Sequence, residues 1–379
     1  MAAAAASAAT ARGPRAKMEN VTQEAPDRFP ETALNSGSLA PDRARSAPRL
    51  ADNEYAELKR LVTEKGLLRK QPGYYARLSI VVVSLLALSL TLLVLVDVLW
   101  LQLLNAVFLA FVFAQLGFIG HDLGHRQVFN SARKTKITGL AVSFLLGTSR
   151  TWWIEKHNQH HNNPNQLDAD PDIIIPVLAF SESQAREKRG VLRFIIRHQG
   201  FFFFPVLALE GIGLRLASFN HMVRTRKPHI VPEALFTILH FTLYFGLIFT
   251  VLGVWQAIAF IAIHQAFFGL YVGTVFATNH KGMPILDKDT RMDFLRRQVI
   301  TSRNVEGSPA VDFWYAGLNF QIEHHLFPNM PRNKLPEARK IVKAFCKDHS
   351  ISYYESSMPR SYVEIVQHMH QVGIAGTQA

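Results

Sequence analysis

Between Leu78 and Val96 the chain carries an apolar run whose only polar members are Ser and Thr. At ~1.5 Å of helix rise per residue, such a run can cross a hydrocarbon core of ~30 Å. Asp97 to Gln102 reads as a short turn, and Leu103 to Gly120 runs back. The same pattern returns at Ala234 to Val251, breaks at Gly253 and resumes from Trp255 to Phe276. The pattern predicts two transmembrane helical hairpins with spans of about 78–96, 103–120, 234–251 and 255–276. Buried helices of a soluble core fit these lengths less well. Residues 137–147 are apolar but too short to span. Residues 191–219 mix Phe201–Phe204 with Arg193, Arg197 and Arg215, the composition of helices lying in a membrane interface.

The flanks differ in kind. Residues 1–50 are rich in Ala, Arg, Ser and Pro and hold too little apolar surface to order themselves. They contain no apolar stretch of signal-peptide length, and read as a disordered tail or an overlong start ahead of Met18. Within 51–77, Tyr55, Leu58, Leu61 and Val62 share one side of an amphipathic helix, expected on the protein's cytosolic face or on the membrane surface. The main domain is then 78–345, followed by a polar cytosolic tail, 346–379, in which His349, His368 and His370 are expected to be solvated.

Positive charge sets an orientation. Arg69, Lys70 and Arg77 precede the first span, and Arg126, Arg133, Lys134 and Lys136 follow the second. Arg224, Arg226 and Lys227 precede the third, and Lys281 follows the fourth. The tips 97–102 and 252–255 carry neither Lys nor Arg. The positive-inside rule places both tips outside, and both termini in the cytosol. The formal charge of +12 fits loops against anionic lipid, and no nucleic-acid motif accompanies it. The single cysteine, Cys346, excludes intrachain disulfides and Cys-rich metal sites.

Three histidine clusters stand beside this apolar sequence. His121 and His125 are an i, i+4 pair, and His157, His160 and His161 follow the i, i+3, i+4 spacing. Gln321, His324 and His325 repeat that spacing with Gln in the first place. On a helix each set shares one face. The orientation puts all three sets on the cytosolic side, although it made no use of histidine. His280, just past the fourth span, brings the candidate imidazoles to eight. One zinc takes about four ligands, so eight suggest two metals. Imidazole without thiolate suits iron, zinc or copper alike.

Asp122, Glu323, Asp168, Asp170 and Asp172 lie within or beside the clusters. Each fits a partner to the remote N–H of a metal-bound imidazole; capping or surface solvation fits Asp168, Asp170 and Asp172 equally well, and Asp122 and Glu323 slightly less well. Gln321 is a candidate to hold a water near a metal or to hydrogen-bond substrate. Trp152 and Trp153 could wall a substrate channel or anchor the chain at an interface. His240 and His264, inside the spans, read as neutral imidazoles hydrogen-bonded between helices. His198, His221 and His229 read as headgroup contacts.

With two hairpins interleaved, His121-x3-His125, His157-x2-His160-His161 and Gln321-x2-His324-His325 resemble the membrane fatty acid desaturases. The Gln of the third set, and the run from His161-Asn162-Asn163-Pro164 through Asp168, Asp170 and Asp172, are similar to the front-end and acyl-lipid branch. The resemblance covers roughly 75–345. It implies an all-α integral membrane protein whose cytosolic helical cap holds a non-haem di-iron site. It implies O2 as co-substrate, and an acyl-CoA or acyl-lipid substrate that gains a cis double bond. By position, His121, His125, His157, His160, His161, His280, His324 and His325 would hold the two iron ions. Many front-end members carry a fused cytochrome b5 domain with a His-Pro-Gly-Gly motif, absent from this sequence. The expected electron donor is therefore separate: a free cytochrome b5, a ferredoxin or a reductase. A fatty acyl hydroxylase on the same site is the nearest alternative. A membrane zinc hydrolase and a non-catalytic lipid-binding relative are the others.

Overall fold

The computed structural model describes residues 47–225 and 230–376. The expected disordered stretch up to Ser46, and Arg226, Lys227 and His229, lie outside them. The described chain is all-α. Its helices are α1 (Ala47–Glu64), α2 (Pro72–Leu95), α3 (Leu99–Gly124), α4 (Ala132–Leu146), α5 (Arg150–Asn162), α6 (Glu182–Glu187), α7 (Gly190–Arg197) and α8 (Gln199–Leu207). They continue with α9 (Glu210–Arg224), α10 (Val231–Val251), α11 (Val254–His280), α12 (Phe294–Ile300), α13 (Pro309–Trp314), α14 (Gln321–Leu326), α15 (Leu335–Asp348) and α16 (Met358–Ala375). Two two-residue strands, β1 (Asn304–Val305) and β2 (Glu355–Ser356), pair in parallel.

Four helices, α2, α3, α10 and α11, are long and apolar enough to cross a membrane. They match the two expected hairpins but run further. α2 starts at Pro72, which suits a first turn because that position needs no N–H donor. α3 continues through Gly120 to Gly124, since one glycine costs a helix interior only about 1 kcal/mol and need not end it. The four are not equivalent. α2 and α10 expose most of their apolar residues, with Ile80, Leu95, Ile238 and Leu239 outward, whereas α3 and α11 form the interior. Ala106, Leu109, Phe113 and Ala114 of α3 interlock there with Ala257, Phe260, Phe268 and Val272 of α11. At the turn of the first hairpin, Gln102 Nε2 donates to the carbonyls of Leu92, Leu93 and Val96, and so satisfies the last turn of α2.

α8 and α9 form a pair bent by 68°. The pair lies against α11 at unusually close range. A Cβ on Gly269 would sit 2.7 Å from the Ala208 carbonyl oxygen, so only glycine permits this crossing. Val191, Phe194, Phe201, Leu216 and Phe219 are exposed along α7–α9, in line with the interfacial reading of this stretch.

One expectation at the ends needs correction. α1 rests on the protein, one of the two places expected for it: Leu58 and Val62 are fully buried against Leu326, Leu335 and Val342, and Tyr55 Oη donates to the Leu326 carbonyl at 2.9 Å. Its apolar side has a better partner in the third histidine segment than in lipid. The C-terminal stretch is not a loose tail. Ile365 and Met369 of α16 pack on Phe203, Leu207 and Ala277. His368 is half-buried with its Nε2 3.2 Å from the Phe180 carbonyl oxygen, and only His370 of the three tail histidines is fully exposed.

Candidate metal centre

Each cluster sits where local sequence forces a helix to end or begin. Arg126 takes a left-handed conformation, φ 56°, and stops α3 directly after His125. His121 and His125 thus project from the last turn. Ser149 caps α5 by accepting the Trp152 N–H, and its own hydroxyl donates to Glu233 Oε2 at 2.5 Å. α5 then presents His157, His160 and His161 from its final turns. α14 is six residues long and wholly buried, and carries Gln321, His324 and His325. His280 is the last residue of α11.

The eight imidazoles converge in two groups. His121, His125, His157, His161 and His324 bring one ring nitrogen each to within 4.8 Å of one another, and so do His160, His280 and His325. In the first group His121 Nε2 lies 3.1 Å from His324 Nε2, and His157 Nε2 lies 3.1 Å from His161 Nε2. In the second, His280 Nε2 lies 3.3 Å from His160 Nε2 and 3.1 Å from His325 Nε2. The His161 and His325 rings stack at 4.1 Å and join the groups. His160 also makes a third grouping with Asp170 and Asp172.

Such convergence of nitrogen lone pairs fits a cation. Two neutral imidazoles can share one proton, but five pointing inward cannot satisfy one another. His125 Nε2 is buried without any hydrogen-bond partner. Burial, then the neighbouring imidazoles, push His125, His157, His161, His324 and His325 well below the usual histidine range, so their lone pairs stay free. His160 goes the other way. Burial alone would lower it, but Asp170 and then Asp172 overcome that and raise it.

The remote ring nitrogens are held in turn. His121 Nδ1 is 3.0 Å from Asp122 Oδ1, and Arg332 Nε donates to the other carboxylate oxygen at 2.5 Å. His160 Nδ1 is 3.0 Å from both oxygens of Asp170, which also accepts the N–H groups of Asn165 and Asp172. Left-handed Asn165 and Asp168 turn the loop so that Asp170 returns beneath His160. His280 Nδ1 meets the Thr301 carbonyl at 3.0 Å, and His325 Nδ1 meets Gln298 Oε1 at 2.8 Å. These contacts fix which nitrogen faces inward.

The remaining sequence candidates divide. Gln321 closes the three-histidine group, its Nε2 3.0 Å from His280 Nε2 while its Oε1 accepts from Asn279. Asp172 stands 3.5 Å from His160 Nδ1 and pairs with half-buried Lys156. Glu323 does not join the cluster. Its carboxylate accepts from Asn304 Nδ2 at 2.8 Å and Tyr353 Oη at 2.7 Å, because the next two places on α14 turn inward and its own turns away. Burial pushes it up to about 7. Asp168 is exposed. Trp153 stacks on His157 at 4.5 Å, and its ring packs where a Gly124 Cβ would be. Trp152 and Trp153 both line an apolar cavity that reaches His121. His264 donates to or accepts from Tyr244 Oη at 2.6 Å between α10 and α11, as expected of a span histidine. Gln298, Thr301, Arg332 and Asn279 belong to no motif and were not among the sequence candidates.

Comparison with known proteins bears on this arrangement. A family model described as fatty acid desaturase matches residues 98–357. An acyl-lipid (9-3)-desaturase of Physcomitrium patens is 28% identical over 349 residues, covering 89% of this chain and 66% of that protein. A Delta(6)-fatty-acid desaturase of Caenorhabditis elegans is 29% identical over 316 residues, covering 79% and 70%. Delta(8)-fatty-acid desaturase 2 of Arabidopsis thaliana is 30% identical over 297 residues, covering 74% and 66%. The chain spans about two thirds of the length of these relatives.

Proposed function

The chain belongs to the fatty acid desaturase family, and from that footing we propose that it introduces a cis double bond into a long-chain fatty acyl group, consuming O2. The observation that carries this reading is two converging imidazole groups, the first of which reaches an apolar cavity through His121. We take His121, His125, His157, His161 and His324 as the residues that would hold one iron, and His160, His280 and His325 the other, with Gln321 beside the second as a neutral group that could hold a water or a substrate atom. When bound, the iron pair supplies the oxidising power that removes two hydrogens from adjacent methylenes.

The protein's own residues do the rest. Asp122, Asp170, Thr301 and Gln298 hold the imidazoles in one tautomer and orientation. Trp153 and Gly124 shape the wall beside His121, where the acyl chain would lie dry. A dry pocket limits side reactions of the oxidant. The relatives' names, acyl-lipid (9-3), Delta(6) and Delta(8), support a front-end regiochemistry, and the first supports an acyl-lipid carrier, with acyl-CoA as the alternative carrier. Both hairpin tips face away from the cytosol in this reading, and the histidines face it.

Metal analysis of the purified protein tests the site. Two iron ions per chain are expected, and zinc without iron would overturn the assignment in favour of a hydrolytic centre.

Electrons come from a separate protein. Arg126, Arg133, Lys134 and Lys136 are exposed on the turn and first helical turns that follow His125, a short basic patch beside the first imidazole group. Charge complementarity of that kind steers an acidic redox partner. Replacing Arg133, Lys134 and Lys136 by glutamine should slow reduction by cytochrome b5 and flatten its salt dependence. Unchanged rates at low salt would remove this patch from the docking surface.

A further inference from the structure

Arg303 is wholly buried, an unusual place for an arginine unless its charge is paired. It sits against the end of α11, the helix whose last residue is His280. A helix end leaves carbonyls without intrahelical partners, and Arg303 takes three of those here. Its Nε donates to the Thr278 carbonyl at 2.7 Å, its backbone N–H to that of Asn279 at 2.8 Å and its Nη2 to that of Lys281 at 2.8 Å. The carbonyl of His280 itself accepts from Asn165 Nδ2 at 3.0 Å. The same segment also holds the ring, through the Thr301 carbonyl 3.0 Å from His280 Nδ1. Residues 301–303 therefore grip both the backbone and the imidazole of one member of the three-histidine group.

The remaining nitrogen of Arg303 reaches the C-terminal helix. Its Nη1 donates to Glu364 Oε2 at 2.6 Å, and among the described residues Glu364 is the one carboxylate paired with Arg303. Glu364 is held in turn, because its Oε1 accepts from Tyr354 Oη at 2.6 Å and from Arg360 Nε at 2.8 Å. α16 also packs directly on the turn that follows His280. Gly282, at φ 87°, makes that turn, and a Cβ there would lie 3.5 Å from the Glu364 carbonyl oxygen. A charge buried with its counter-charge is tolerated, whereas the same charge left alone in a low dielectric is not.

We propose that α16 locks the second metal group: Glu364 neutralises and orients Arg303, Arg303 fixes the end of α11, and that end places His280. Glu364 and Arg303 are positioning residues, acting through His280. This rests on the two-iron reading of the imidazole groups. Glu364→Gln leaves an unpaired guanidinium beside the place of a dication. The charge repels the metal, and it draws Arg303 towards water, off the Thr278 and Lys281 carbonyls. The first group takes its five imidazoles from α3, α5 and α14, and makes no use of this grip.

Iron retention in two backgrounds separates the groups. His325→Ala disables the second group, and His324→Ala the first. Added to His324→Ala, Glu364→Gln should weaken retention of the remaining iron by about tenfold in chelator competition. Added to His325→Ala, it should leave retention unchanged. Arg303→Gln with Glu364→Gln removes the buried charge together with its partner. That pair should hold the second iron better than Glu364→Gln alone, since an unpaired buried charge costs more than freed carbonyls. A general loss of fold cannot produce that rescue. Equal weakening in both backgrounds, or none in either, would overturn the lock, and so would a paired variant no better than the single one. The readout needs no turnover. An unaltered protein that holds iron and makes no unsaturated product would sink the desaturase reading and leave the lock standing, whereas one that holds no iron removes the lock along with the metal centre.

Discussion

Replacing His160 and His161 together by alanine is expected to abolish acyl-chain desaturation and to strip the protein of most of the metal these imidazoles would hold. The two are adjacent in α5 but belong to different groups, His161 to the five imidazoles and His160 to the three. One double substitution therefore strikes both sites. The effect should exceed the roughly 10–100-fold typical of an outer partner to a metal ligand. Single variants separate the sites: His324→Ala should lower occupancy of the first, and His325→Ala of the second. Metal content measured on protein of unchanged helicity distinguishes loss of ligands from loss of fold. Retention of two metals per chain by the double variant would show that these imidazoles are structural.

Asp170→Asn should weaken metal retention by roughly 10–100-fold while leaving the helices intact. Asp170 is fully buried and meets three donors: His160 Nδ1 and the N–H groups of Asn165 and Asp172. Burial favours its neutral form, yet His160 outweighs burial and holds it below the usual carboxylate range. An asparagine would turn an N–H2 group toward one of those donors, and the imidazole would lose the charge that sets its tautomer. Chelator competition on the purified protein reads the affinity directly. Equal retention by the variant would mean that the loop backbone alone orients His160.

Much of this was legible in the chain because two periodicities carried it. Four long apolar runs fixed four helices, and i, i+3, i+4 spacing put each histidine set on one face. The eight imidazoles share no contiguous sequence, yet each ends or begins a helix beside an apolar run, and that common context was the signal. The partners of the imidazoles were less legible. Asp122 and Asp170 stood near their histidines in sequence and meet them in space. Gln298, Thr301 and Arg332 do the same work from distant segments, and nothing in the local pattern of either marks them. Glu323 shows the converse. It is next to His324 in sequence, but neighbouring helical positions point about 100° apart, so its carboxylate meets Asn304 and Tyr353 instead. The C-terminal end misled for a related reason. An amphipathic helix shows an apolar face but not what covers it, and the cover is the protein's own third histidine segment for α1 and α8 with α11 for α16.

The family's chemistry and the geometry meet in one experiment. Expression in a host lacking the activity, followed by mass spectrometry of its fatty acids with double-bond localisation, reads the product directly. A new cis-unsaturated acyl species, made by the intact chain and absent with His160→Ala, His161→Ala, is the expected result, and the bond position gives the regiochemistry. A hydroxylated species in its place, or the same unsaturated species from the double variant, would contradict the account.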